Sequence, residues 1–485
     1  MHESIWMSDV SLPQYEPLRG EHRVDVAVIG GGLAGILCAR KLQQDGAKVA
    51  VLEADRIGGG TTGHTTAKIT CQHRLPYDRL VSGMGAYKAK LYYQANQAAV
   101  EQYQKLIKEN QVDCDFKSTS AACYAVHEED LQLLRREEKA AKQLDIPYTM
   151  VDTPDLPFHT LGALEMPGQA QFHPLKFLKW ASKDLTIYEH SRALSIEKDT
   201  VSTGEGKLRA DQIVVCTHYP FVNTPGYYFL RMYQKRSYVV ALKGAKPVQR
   251  MYIDASPKGY SFRQQGDLVL MGGEGHKCGR DPKGHRFEAL EQAALSLYPE
   301  AQVVSRWSAQ DCMTLDNIPY IGHYSTKLDN LYVATGFGKW GMSSSMMAAL
   351  LLGDMIKGNV NPWEEIFTPR RFQLGLSAST LLSSAGDVIK GLTVDKMAPP
   401  QRKTHPQPGD GATVARGVMG KAGEFQDPQG HLHAVKPTCA HMGCELTWNA
   451  DEQTWDCPCH GSRFTADGSV VDGPAQTNLH PPAQM

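Results

Sequence analysis

The run Val24-Asp25-Val26-Ala27-Val28-Ile29-Gly30-Gly31-Gly32-Leu33-Ala34-Gly35, carried on through ILCARKLQQDG to AKVAVLE and ending at Glu53, decides the fold. Two short apolar runs flank a glycine turn and a segment of helical character, so the stretch reads as strand, turn, helix, strand, a βαβ unit of about thirty residues. Gly30 permits the tight turn and Gly32 lets backbone approach a pyrophosphate at the helix N-terminus. Gly35 allows close helix packing, and Glu53 can accept a hydrogen bond from a ribose hydroxyl. Glycine spacing alone is weak evidence, but strand, helix and acid at the expected spacing together predict a dinucleotide site. The fingerprint by itself leaves NAD and FAD open.

Outward from this unit, residues 87–108 carry a long helical pattern, and 185–195 and 212–216 read as strands. Segments 237–242, 251–254, 260–264 and 268–272, separated by turn residues, predict an antiparallel sheet forming a second lobe. Residues 330–335 read as a strand leading into a glycine turn and a helix from about Ser343. The first unit is therefore expected over 1–371, with a connector over 372–408. Within the connector, apolar positions of 374–392 share one helical face, which predicts a helix packed on a domain in preference to one lying on a membrane. Residues 398–411, rich in Pro, Gly and charge, read as a linker. The remaining 409–485 form a small domain rich in Gly, Pro, Cys and His that needs a staple or a metal.

The chain has 485 residues, enough on a scale of roughly 150 per domain for two or three domains and too many for a single small binding module. Lys plus Arg (51) nearly balance Asp plus Glu (52), so nucleic acid and anionic membrane are not expected partners. Met1 to Met7 lack the basic start and apolar core of a signal peptide, and the most apolar stretches, 340–356 and 374–392, are interrupted by polar residues. A soluble, cytoplasmic chain without a membrane span is the expectation. Seven of the eleven cysteines are scattered and read as buried free thiols; the other four lie between Cys439 and Cys459.

Those four belong to two boxes, Cys439-Ala440-His441-Met442-Gly443-Cys444 and Cys457-Pro458-Cys459-His460-Gly461-Ser462. Zinc is the usual rival for a Cys and His cluster, but six candidate ligands are too many for one zinc. The spacing resembles the Rieske family, in which two histidines replace two cysteines on one iron of a [2Fe-2S] cluster. That resemblance implies Cys439 and Cys457 on one iron and His441 and His460 on the other, with Cys444 and Cys459 paired as the disulfide joining the cluster loops. Gly473-Pro474-Ala475 resembles the proline loop covering the cluster. Ser462 matches the position whose hydroxyl bonds a cluster sulfur in high-potential members, and Phe464 stands where those members carry tyrosine. The extra cysteine pair, and the lack of a convincing site of two His and one carboxylate, count against a ring-hydroxylating oxygenase.

A second glycine-rich loop, residues 56–68, follows Glu53 directly, and here the chain resembles the D-amino-acid oxidase-like flavoprotein superfamily. The resemblance extends to Val214-Val215-Cys216-Thr217-His218, to Asp316-Asn317-Ile318-Pro319-Tyr320-Ile321-Gly322, and to 334–342. It implies FAD at the fingerprint, with Thr61, Thr62, His64 and Thr65 along the pyrophosphate. Gly336, Gly338, Gly341 and Met342 would turn backbone amides and a helix N-terminus toward the flavin ring. Trp340 and Lys339 fall in a loop that lines the substrate face, with packing and a solvated charge as the alternative readings. Arg263 can bind a substrate carboxylate or form an inter-strand salt bridge. His276, with Lys277, flanks the ring or sits on a surface turn. Gly60-Thr61-Thr62-Gly63-His64-Thr65 also resembles the dimethylglycine and sarcosine dehydrogenase branch, where the histidine is bonded to flavin, although that branch has Trp at the position of Gly63.

The order of the pieces matches bacterial FAD-dependent oxidoreductases carrying a C-terminal Rieske domain. The implied fold class is α/β and α+β: a Rossmann-like FAD-binding domain with an antiparallel substrate lobe, plus a small all-β Rieske domain. The implied activity is dehydrogenation of an amine or amino-acid-like substrate, with single electrons exchanged between FAD and the Rieske [2Fe-2S] cluster and an unnamed external donor or acceptor. An oxidase passing both electrons to dioxygen, and a redox sensor or carrier, are the alternatives, and no sequence feature fixes the direction of electron flow.

Overall fold

The computed structural model describes residues 3–152, 155–281, 284–371, 377, 386, 390, 392–400, 402, 404–416 and 420–482. The first sheet has the order Tyr320–Ser325, Leu328–Thr335, Gly206–Val215, Gly20–Ile29, Val49–Leu52, Thr186–Tyr188. Along this order the neighbours are parallel except for the first two strands, which form an antiparallel hairpin; Ser195–Glu197 and Thr200–Ser202 add a further antiparallel pair against Gly206–Val215. Side chains alternate across a strand, so Val26 and Val28 enter the core shared with the helices Leu33–Gln44 and Gly341–Ile356. Ala27 and Ile29 enter a second core with Leu208, Ile213 and Val215. Burial on both faces is what a parallel sheet requires and explains the near-continuous apolar runs.

The second sheet runs Gln302–Thr314, Met232–Lys243, Leu268–Lys277, Ser261–Gln265, Met251–Asp254, Lys117–Ala125, Gly162–Gln171, Lys68–Ile69. It is antiparallel apart from the Met251–Asp254 and Lys117–Ala125 pair. The helix Arg286–Leu297 packs Phe287, Leu290 and Ala294 against Tyr238, Val240 and Phe262 of this sheet.

Two expectations shift for tertiary reasons. The helix expected over 87–108 extends over Tyr77–Glu109, with a break at Gly85 (φ 84°). Its start is held by the Glu137 carboxylate, which accepts hydrogen bonds from the Tyr77 and Asp78 N–H groups at 2.8 Å each. The expected strand 185–195 is two pieces, Thr186–Tyr188 and Ser195–Glu197. Between them Glu189 turns inward to accept from Tyr15 N–H (3.0 Å) and Ile57 N–H (2.8 Å), pinning the N-terminal arm to the second glycine-rich loop.

The last domain holds two small antiparallel sheets, Gly411–Arg416, Gly420–Gln426, Leu432–Val435 and Thr447–Asn449, Thr454–Asp456, Arg463–Thr465, Val470–Asp472. Its core is Phe425, Trp448, Trp455 and Phe464 packed with four cysteines. The linker expected over 398–411 runs partly along this domain, where His405 pairs with Glu424. Nearly all of the expected helix 374–392 lies outside the described residues. Among the described residues no helix is long and apolar enough to cross a membrane.

Candidate functional site

The glycine turn is shaped by close approach. Gly30 has φ +112°, and a Cβ there would lie 2.5 Å from Cys216 O; one at Gly35 would lie 1.8 Å from Gly30 O. Glu53 accepts from Gly31 N–H (2.6 Å) and Asp55 N–H (2.9 Å), and burial raises its pKa. Thr62 Oγ1 accepts from Leu33 N–H at 3.0 Å, tying the second glycine loop to the start of the helix. These elements line one end of a cavity of about 520 Å³ that runs past Thr61, Thr62, His64 and Thr65 to Gly336, Gly338, Gly341 and Met342. His64 Nδ1 lies 2.9 Å from Gly60 O. Gly341 and Met342 open the helix Gly341–Ile356, so its N-terminal amides meet the cavity.

At the far end Trp340 lines the cavity and stacks on His73, with ring centroids 4.8 Å apart. Lys339 Nζ also lines it, 4.0 Å from Asp311 Oδ2; burial lowers the Lys339 pKa and raises that of Asp311. Arg263 is elsewhere. It is fully buried, and its Nη1 donates to Thr66 O (2.7 Å) and Ala67 O (3.0 Å), so it clamps the loop behind the cavity and, among the described residues, is neither a free carboxylate anchor nor a salt-bridge partner. His276 also stays off the cavity wall: Tyr238 Oη is 3.1 Å from its Nε2 and Lys277 O 3.0 Å from its Nδ1. Arg74, by contrast, is on the cavity wall and makes no hydrogen bond or ion pair among the described residues. Beside it Lys68 donates to Tyr252 O (2.9 Å), and burial, with Arg263 and Arg74 nearby, brings its pKa down to about 7.

In the small domain Cys444 and Cys459 form a disulfide, and the sulfurs of Cys444, Cys457 and Cys459 lie within 4.8 Å of one another. A hydrogen bond between the buried thiols of Cys439 and Cys457 brings Cys439 down to about 7 and pushes Cys457 well above the usual thiol range. His441 and His460 stand 5.0 Å apart between centroids, and burial lowers them to about 4 and about 3, so both are neutral imidazoles. Among the described residues, each leaves its buried Nδ1 without a hydrogen-bond partner. Two neighbouring thiols and two neutral, unpartnered imidazole nitrogens are the donor set a Rieske cluster uses. Ser462, fully buried, accepts from Ala475 N–H (3.0 Å) and hydrogen-bonds Cys439.

The two sites share a wall. Asp472, Gly473, Pro474, Ala475 and Gln476 of the small domain line the same cavity as the fingerprint. Glu452 is buried between Arg236, Arg463 and the Ser308 hydroxyl. Burial opposes its ionisation, but the two guanidinium groups outweigh it and hold the carboxyl at about 2. The outer edges of the histidines face the first domain: Asn223 Oδ1 is 3.1 Å from His441 Nε2, and His460 bonds the Phe229 backbone.

Residues 25–355 match the family model described as "FAD dependent oxidoreductase" (DAO), and 406–482 that described as "Rieske [2Fe-2S] domain". The chain belongs to the DAO family and carries a Rieske domain. A Bacillus subtilis (strain 168) protein named as a Rieske 2Fe-2S iron-sulfur protein, YhfW, is 39% identical over 490 residues, 98% of this chain and 96% of that one. The gamma-glutamylputrescine oxidoreductase of Escherichia coli (strain K12) is 23% identical over 72% of this chain and 87% of its own length. In fold, the first domain is similar to glycine oxidase from Geobacillus kaustophilus, with TM-score 0.63 and 20% identity over 72% of this chain and 99% of that one. This DAO–Rieske chain is therefore an FAD-dependent oxidoreductase with FAD and a Rieske [2Fe-2S] cluster as cofactors.

Several residues of the site carry no local signal. Arg74 sits in the plain stretch Cys71-Gln72-His73-Arg74, and Asn223, Gln234, Gln310 and Glu452 acquire meaning only when the domains meet. His218 lies in a quoted segment, yet only the structure places it in the cavity wall beside Gln234.

Proposed function

We propose that this protein dehydrogenates an amine or amino-acid-like substrate next to nitrogen and passes the electrons one at a time between its two cofactors. The observation that carries this reading is the shared wall: the proline loop roofs the flavin cavity, while Asn223 and Phe229 of the flavin domain cap the two cluster histidines. FAD supplies two-electron chemistry and the cluster exchanges single electrons. Cys439, His441, Cys457 and His460 are assigned as cluster ligands. Gly30, Gly32, Gly35 and Glu53 hold the dinucleotide.

Around the substrate, Arg74 offers a guanidinium to a carboxylate, and Trp340 supplies an apolar face. Lys68, with its pKa near 7, holds the proton that a substrate ammonium must release before its carbon can be oxidised. Activity is expected to rise through about pH 7, and Lys68→Met should flatten that limb of the profile. A profile unchanged by Lys68→Met removes the proton-holding role.

The deciding experiment is anaerobic titration with a panel of secondary amines and amino acids, reading flavin bleaching by absorbance and the cluster by EPR. Bleaching followed by a Rieske signal is expected. Rapid peroxide formation in air with the cluster left oxidised would instead make the protein an oxidase.

A further inference from the structure

Gln234 lies on the strand Met232–Lys243 and is buried at the contact between the domains. An amide side chain has two donor hydrogens and an acceptor oxygen, and this one uses all of them. Nε2 donates to His460 O (2.8 Å) and Gly473 O (2.9 Å), tying together a cluster loop and the proline loop. Oε1 accepts from Gln310 Nε2 (2.7 Å), which also donates to Gly461 O at 2.8 Å. The Gln310 carbonyl in turn accepts from Thr61 Oγ1 (3.2 Å) in the flavin loop. The contact is tight: Gly461 has φ +82°, and a Cβ there would lie 2.6 Å from Gln234 Cβ. An unbroken bonded route therefore runs from Thr61 through Gln310 and Gln234 to His460. Both amides are uncharged, so they fix the cluster loops without placing a charge beside a centre whose own charge changes by one.

We propose that Gln234, backed by Gln310, is the positioning residue that seats the cluster over the flavin site and sets the rate of electron exchange between the cofactors. This rests on the electron-transfer reading above. When one electron leaves reduced flavin and one enters the oxidised cluster, no bond is made or broken at Gln234.

The test uses the full-length protein loaded with both cofactors. The flavin is photoreduced without oxygen, and growth of the Rieske EPR signal is timed by freeze-quenching. In Gln234→Leu, which keeps the volume and loses every bond, cluster reduction is expected to slow about tenfold or more, the scale on which lost positioning contacts act. Both midpoint potentials and the EPR line shape should stay unchanged, which a general loss of structure would not permit. Gln310→Leu, which removes only the supporting amide, should slow the same step less and serves if Gln234→Leu does not retain its cluster. Unchanged rates in both variants, with transfer intact in the parent protein, overturn the inference alone. Absence of transfer in the parent overturns the electron-transfer reading and this inference with it.

Discussion

The flavin cradle and the cluster pocket hold their cofactors in opposite ways. In the cradle the lining around the glycine turn is largely backbone, shaped by Gly30 and Gly35, and it stands on two large cores of apolar side chains. In the small domain Cys439, Cys444, Cys457 and Cys459 are themselves part of the core. Replacing any of these cysteines removes packing, and replacing Cys444 or Cys459 also removes the disulfide staple. The difference predicts that losing FAD costs this protein its chemistry, whereas losing the cluster costs it a domain.

The largest effect should come from breaking the cluster side. His460→Ala is expected to abolish the Rieske EPR signal and the cooperative melting of the small domain while flavin absorption is retained. An intact EPR signal in that variant would show that His460 is not a ligand.

The contact between the regions is next. Removing one partner of a buried ion pair costs about 3–5 kcal/mol, and Glu452→Ala leaves Arg236 facing Arg463 without the anion between them. Calorimetry should show a lower melting temperature, and opening the shared wall should speed peroxide formation from reduced protein in air. The Glu452 carboxyl is held at about 2 against an ordinary 4.5. Its stabilisation is therefore fully present above about pH 4.5 and is lost as pH falls toward 2. A parent and a Glu452→Gln variant with the same acid unfolding midpoint would contradict this.

Both cofactors were legible in the sequence because each family is marked by a short contiguous motif whose spacing is set by local geometry. The turn at Gly30 is forced by its own strand and helix, and the boxes around His441 and His460 each place Cys and His on one loop. What the sequence hid was contact across the fold. Arg263 looked like a carboxylate anchor because nothing local reveals that it reaches the carbonyls of Thr66 and Ala67. Arg74 looked ordinary for the same reason. The helix over 77–109 began before its apolar pattern because its cap, Glu137, arrives from a later helix.

A smaller effect should follow on the flavin side. Gly35→Ala places a methyl 1.8 Å from Gly30 O, and overpacking of this kind costs about 1–3 kcal/mol. The turn must shift, so FAD should elute on gel filtration while the Rieske signal persists. Loss of both cofactors together would mean that the small domain depends on a filled cradle.

The smallest expected change is the most local. Ser462 immediately precedes the strand Arg463–Thr465, and Phe464 lies within it. Both are fully buried, and Ser462 already hydrogen-bonds Cys439. A hydroxyl added by Phe464→Tyr can donate to a cluster sulfur, and such bonds raise the potential by stabilising the more negative reduced cluster. A net hydrogen bond of ~1 kcal/mol corresponds to about 40 mV for a one-electron centre. Redox titration followed by EPR should therefore find the Phe464→Tyr midpoint higher by that order, and the Ser462→Ala midpoint lower. If Phe464→Tyr leaves the midpoint where it was while Ser462→Ala lowers it, the aromatic ring does not reach the cluster, and Ser462 alone of the two tunes it.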